Sequence, residues 1–130
     1  MHILAGEFTI AKWDEKNFME VAPPAKANEA SIAYNVLGDL EGKLSGKYIL
    51  IYNDDTHASY NGALQFTGKI GEKSGSFFIQ EIGMFEGSTA TTNWTIIAGS
   101  GTDDFKTISG TGKYSTSEKS VNFTLEIEGI

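Results

Sequence analysis

Apolar side chains recur at every second position in one segment after another. The pattern runs through Phe8 and Ile10, Ile32-Tyr34-Val36, Tyr48-Leu50-Tyr52, Leu64-Phe66, Phe77-Ile79, Trp94-Ile96 and Val121-Phe123-Leu125-Ile127. Successive side chains of a strand point to opposite faces, so a period of two gives each segment one apolar face, whereas a helix would need a period near 3.6. The chain is therefore expected to be all-β, a single antiparallel barrel of about eight strands. Glycine-rich turns separate the later strands, Pro23-Pro24 sets an extended corner, and a short helical turn is expected only around Asp14 to Phe18. At 130 residues, with no linker or low-complexity tract, residues 1–130 form one domain.

Turn lengths carry the reading from strands to pairs. A turn over Gly71 to Ser74 sets Leu64 against Glu81, Phe66 against Ile79 and Gly68 against Phe77. A two-residue turn at Gly87-Ser88 sets Ile79 against Ile96, Phe77 against Ala98 and Glu81 against Trp94. The last hairpin pairs Gly112 with Phe123, Gly110 with Leu125, Tyr114 with Val121 and Ile108 with Ile127, so that large side chains cover glycines. Leu64, Phe66, Ile79, Trp94 and Ile96 then share one inward wall and are the candidate ligand-binding residues. Glu81 is an acid on that wall, and a desolvated carboxyl has the raised pKa of a general acid, which makes it the candidate catalytic residue. The alternatives are that Glu81 lies near a barrel mouth, or that an odd-length turn swaps the faces and brings Gln80 inward. The other face of the same region carries Phe78, Ile82, Met84 and Ile97, and an apolar outer face needs a cover. A homo-oligomer is expected, with a folded-over terminal segment as the alternative.

Charge and missing residue types exclude several functions. The net charge is −7 and all ten basic residues are lysines, so the forked donor that arginine offers phosphates and base edges is absent, and neither nucleic acid nor an anionic membrane is expected as a partner. There is no cysteine, hence no disulfide framework or thiolate chemistry, and without a signal segment a cytoplasmic location is expected. Asn53-Asp54-Asp55-Thr56-His57 could hint at a divalent cation, but its spacing matches no metal loop and these are ordinary turn residues, so no metal site is expected. Gly99-Ser100-Gly101-Thr102 and Gly110-Thr111-Gly112-Lys113 lack the spacing and the following helix of a phosphate cradle, and no cofactor is expected.

Gly75-Ser76-Phe77-Phe78-Ile79-Gln80, Gly83-x-Phe85, Gly99-Ser100-Gly101-Thr102 and Ile108-Ser109-Gly110-Thr111-Gly112 resemble the core motifs of DUF3224, a small bacterial family without an assigned function. Trp13-Asp14-Glu15 and Gly38-Asp39-Leu40-Glu41-Gly42 fit its first half, so the resemblance covers most of the chain; Asp103-Asp104-Phe105 departs from it at one turn. More distantly, Ile96-Ile97-x-Gly99-x-Gly101 and Gly110-x-Gly112 are similar to the late strands of allene oxide cyclase and dirigent proteins. That likeness implies an eight-stranded antiparallel barrel and a cavity that holds a small hydrophobic molecule and steers its cyclisation or coupling by shape. It carries over no catalytic residue, since the matching positions are glycines and apolar residues. The alternative is a non-enzymatic structural or interaction protein whose lumen is filled by its own side chains.

Overall fold

The structure, a computed structural model, describes residues 2–22, 25–116 and 120–130. Eight strands close into a barrel: β1 (His2–Ala22), β2 (Ala25–Gly38), β3 (Leu40–Asp54), β4 (His57–Ile70), β5 (Lys73–Glu86), β6 (Thr89–Ile96), β7 (Ser109–Thr116) and β8 (Ser120–Glu128). Each pairs antiparallel with its neighbour in sequence, and β8 returns to β1. This order needs only short connections, and closure removes the free edges that an open sheet exposes. Among the described residues no helix is long and apolar enough to cross a membrane, and the one helical piece is a 3-10 turn, Asp103–Phe105.

The period of two is realised as burial. Tyr48 and Leu50 of β3, Leu64 and Phe66 of β4, Phe77 and Ile79 of β5, and Trp94 and Ile96 of β6 all turn inward and are buried. Where strands crowd, glycine makes room. A Cβ on Gly112 would lie 2.3 Å from Leu125 Cδ2, and one on Gly6 would lie 2.6 Å from the Phe123 ring. Large side chains thus do cover glycines, but the pairing differs by two residues from the expected one: Gly112 faces Leu125 and Gly110 faces Ile127, while Ile108 precedes β7.

The β4–β5 register moves by the same amount. Gly71, at φ +63, opens a tight turn in which Ile70 already pairs with Lys73, so Leu64 faces Ile79, Phe66 faces Phe77, and Gly62 takes Glu81. An even displacement keeps every side chain on its face, which is why the inward wall survives the correction. Between β5 and β6 the expected pairs Ile79 with Ile96 and Glu81 with Trp94 form, but Phe77 does not meet Ala98, because β6 ends at Ile96. Beyond Ile97 the chain turns at Gly99 (φ +86) and crosses the end of the barrel. Thr102 N–H donates to Ser76 O at 2.9 Å, and Phe105, fully buried, meets the Phe77 ring at 5.5 Å. That end is sealed.

The expected helical turn at Asp14 to Phe18 does not form; the segment is strand. Its polar run hides a register shift between Ile10 and Lys12, a β-bulge. Before the bulge the even residues Leu4 and Phe8 turn toward the core; after it Trp13 pairs with buried Ile32 and Glu15 with buried Ala30, so the odd residues turn inward. One extra residue reverses the facing parity of the stretch after it, up to the next register shift between Asn17 and Met19. The corner expected at Pro23-Pro24 lies outside the described residues.

Candidate functional site

The two ends of the barrel differ in filling. Opposite the sealed end, the lumen opens as a cavity of about 280 Å³. All five tyrosines of the chain, Tyr34, Tyr48, Tyr52, Tyr60 and Tyr114, line it. Phe8, Phe85 and Trp13 complete the aromatic wall, and Ala58 and Ala90 leave room where larger residues would close it. Phe8 stacks on Tyr34 at 4.5 Å and meets Tyr114 edge-on at 5.3 Å. No lysine or histidine lines the cavity among the described residues.

Under this cavity lies Glu81, with no exposed surface. β5 places it inward, and pairing with β6 sets it beside Trp94. Its Oε1 accepts from Trp94 Nε1–H at 2.6 Å and from the Tyr48 hydroxyl at 3.1 Å, and the Tyr34 and Tyr48 hydroxyls are 2.9 Å apart. Oε2 has no hydrogen-bond partner. Burial pushes the carboxyl up to about 7, and the bonds from Trp94 and Tyr48 offset this only in part. The same burial, reinforced by the acid, raises Tyr48 well above the ordinary phenol range. Beside this group Tyr60 and Thr92 share a hydroxyl–hydroxyl bond.

A second carboxylate stands at the mouth. Glu15, carried inward by the β1 bulge, accepts from Asn28 Nδ2 at 2.6 Å, the Tyr52 hydroxyl at 2.8 Å and Trp13 Nε1 at 3.0 Å. Burial opposes its ionisation, but these bonds and nearby Lys26 win, holding its pKa below the usual value. Lys26 also sits 5.1 Å over the Tyr52 ring. Trp13 in turn reaches across the opening to within 5.9 Å of the Tyr48 ring.

The residues expected to line a site are brought together, but lower down. Leu64, Phe66, Ile79, Trp94 and Ile96 are all buried inward and none borders the cavity; they form the packed layers beneath it, and Glu81 lies at the boundary. The tyrosines, Trp13 and Glu15 were not singled out from the sequence. The available signal was that all the tyrosines outside β1 fall at inward positions, whereas the bulge masked Trp13 and Glu15. The turn at Asp54 and His57 proves self-contained: Asp54 accepts from Thr56 N at 2.8 Å and contacts His57 Nδ1 at 2.9 Å, which lowers its pKa to about 2 and raises that of His57. Among the described residues no group of three metal-ligating side chains occurs.

Plugged at one end and hollow and aromatic at the other, the chain forms an up-and-down barrel with an end-opening cavity. Its family is equally definite: the sequence profile of DUF3224, described as a protein of unknown function, matches residues 4–127, and the chain belongs to that family. A crystal structure of a DUF3224 protein of unknown function from Shewanella oneidensis MR-1 is similar to it, with a TM-score of 0.85 over 100% of this chain and 98% of that one. At 18% identity this likeness establishes a shared fold. No curated protein matches the chain.

Proposed function

We propose that this barrel binds a small, largely apolar aromatic molecule through its open end. One observation carries the reading: a cavity of about 280 Å³ walled by aromatic rings in a barrel whose lumen toward the other end is packed by Phe66, Phe77 and Phe105. An apolar void of about 150 Å³ accepts a benzene-sized guest, so this one suits a molecule of one or two rings. The distant likeness to allene oxide cyclase and dirigent proteins points the same way. Within this reading Glu81 is a positioning group that orders Tyr48 and Trp94, and any proton it exchanges with a bound molecule passes through Tyr48. Naphthalene should bind at one per chain and raise Tm, and Ala90→Phe, which narrows the opening, should abolish both effects. Absence of binding, or binding indifferent to Ala90→Phe, overturns the reading.

A second surface favours self-association. Phe78, Ile82, Met84 and Ile97 are exposed on the outside of the barrel, with Ile49 and Ile51 two strands away. The residues between them, Ser59, Asn61, Gln80 and Asn93, are uncharged, so two chains of net charge −7 meet there with least repulsion. We infer a second copy as the occupant; light scattering that returns only monomer at micromolar concentration overturns it.

A further inference from the structure

On the Tyr34–Tyr48 side and at the mouth, the polar atoms of the cavity wall are not evenly divided between donors and acceptors; on the other side the Tyr60 hydroxyl is taken up with Thr92. A hydroxyl has one proton, and the Tyr48 proton goes to Glu81 Oε1. The bond between Tyr34 and Tyr48, 2.9 Å long, must therefore use the proton of Tyr34. That leaves the Tyr34 oxygen with free lone pairs and no proton. At the mouth the same accounting holds for Tyr52, whose hydroxyl donates to Glu15, and for Trp13, whose indole N–H donates to the same carboxylate. Two acids, one beneath the cavity and one at its rim, thus draw four donors of the wall toward themselves or each other, and no cationic side chain lines the space among the described residues.

Resting on the ligand-binding reading above, we infer that the cavity selects aromatic molecules bearing a hydrogen-bond donor, phenols or aryl amines, and rejects aromatic carboxylates. A phenolic hydroxyl meets an acceptor at Tyr34, whereas a carboxylate meets lone pairs there and the Glu15 carboxylate at the rim. The chain's charge of −7 adds to that repulsion.

Calorimetric titration of the intact protein with naphthalene, 2-methoxynaphthalene, 2-naphthol and 2-naphthoate separates the two readings. One added hydrogen bond changes affinity by roughly five- to tenfold. 2-Naphthol should bind about that much more tightly than naphthalene and 2-methoxynaphthalene, and 2-naphthoate more weakly than all three. Tyr34→Phe should remove the 2-naphthol advantage over naphthalene, both affinities being read on the same variant, whose circular dichroism shows that it is folded. Equal affinities for the three neutral compounds, or preferred binding of 2-naphthoate, overturn the selectivity while cavity binding stands. No binding by any of the four overturns the cavity reading itself.

Discussion

The sealed and open halves of the barrel are built from the same alternating strands, yet they use their inward positions differently. At the sealed end Phe66, Phe77 and Phe105 pack ring on ring, with Leu44, Ile108 and Ile127 between them, all within a few per cent of complete burial. At the open end five of the inward residues are tyrosines, whose hydroxyls are tethered to one another, to Thr92 or to an acid. A phenylalanine core gains by closing every gap; a tyrosine held by its hydroxyl cannot move freely to fill one. The tighter packing lies in one half and the open space in the other.

The largest test of that contrast is Phe105→Ala. Truncating a fully buried phenylalanine costs about 4 kcal/mol, and urea unfolding should show this, against a much smaller loss for Phe85→Ala at the half-buried rim. Equal losses would erase the distinction. Next comes the acid at the boundary. The Glu81 carboxyl is raised from 4.5 to about 7 in the folded protein. Between those values the unfolded chain has released its proton and the folded one has not, so stability falls as pH rises through this window and levels off above it. The full change is about 3 kcal/mol. Glu81→Gln should flatten the profile and be relatively more stable at pH 8 than at pH 5; an unchanged slope in urea midpoints would show that Glu81 is not the group responsible.

The smallest effect uses one insult in two places. A Cβ on Gly112 meets Leu125 at 2.3 Å and one on Gly83 meets the Tyr60 ring at 2.4 Å. Leu125 has nowhere to go, so Gly112→Ala should cost about 3 kcal/mol, whereas Tyr60 borders the cavity and can tilt into it once its bond to Thr92 is given up, so Gly83→Ala should cost about 2 kcal/mol. The second variant should also bind naphthalene more weakly, because the ring then occupies the space. Comparable costs would mean that the open half is as rigid as the sealed one.

How far such behaviour is legible in the sequence depends on parity. Every inward residue named from alternation, from Leu64 to Ile96, is inward in the fold, and Glu81 stands beside Trp94 as its turn length implies. Alternation reports the face and not the height along the barrel axis. The β4–β5 and β7–β8 registers could therefore move by two residues without disturbing it, and the candidate wall landed a layer below the cavity. Height is decided by where the 97–108 segment folds under the barrel, a tertiary event that local pattern does not encode. Trp13 and Glu15 were lost for a different reason, since their stretch of β1 is polar and its inward parity is reversed.

That reversal hangs on a single residue. Were Ala11 taken into the ladder opposite Ala33, the bulge between Ile10 and Lys12 would close and strand β1 would continue in its first register. Trp13, Glu15 and Asn17 would then trade places with Lys12, Asp14 and Lys16. The mouth would exchange an indole and a tethered carboxylate for two ammonium groups and a free acid, while the girdle below Thr9, held by β8, stayed as it is. The placement of one residue, in the ladder or out of it, thus separates two entrances to the same barrel, so relatives can differ in what they admit without differing in how they fold.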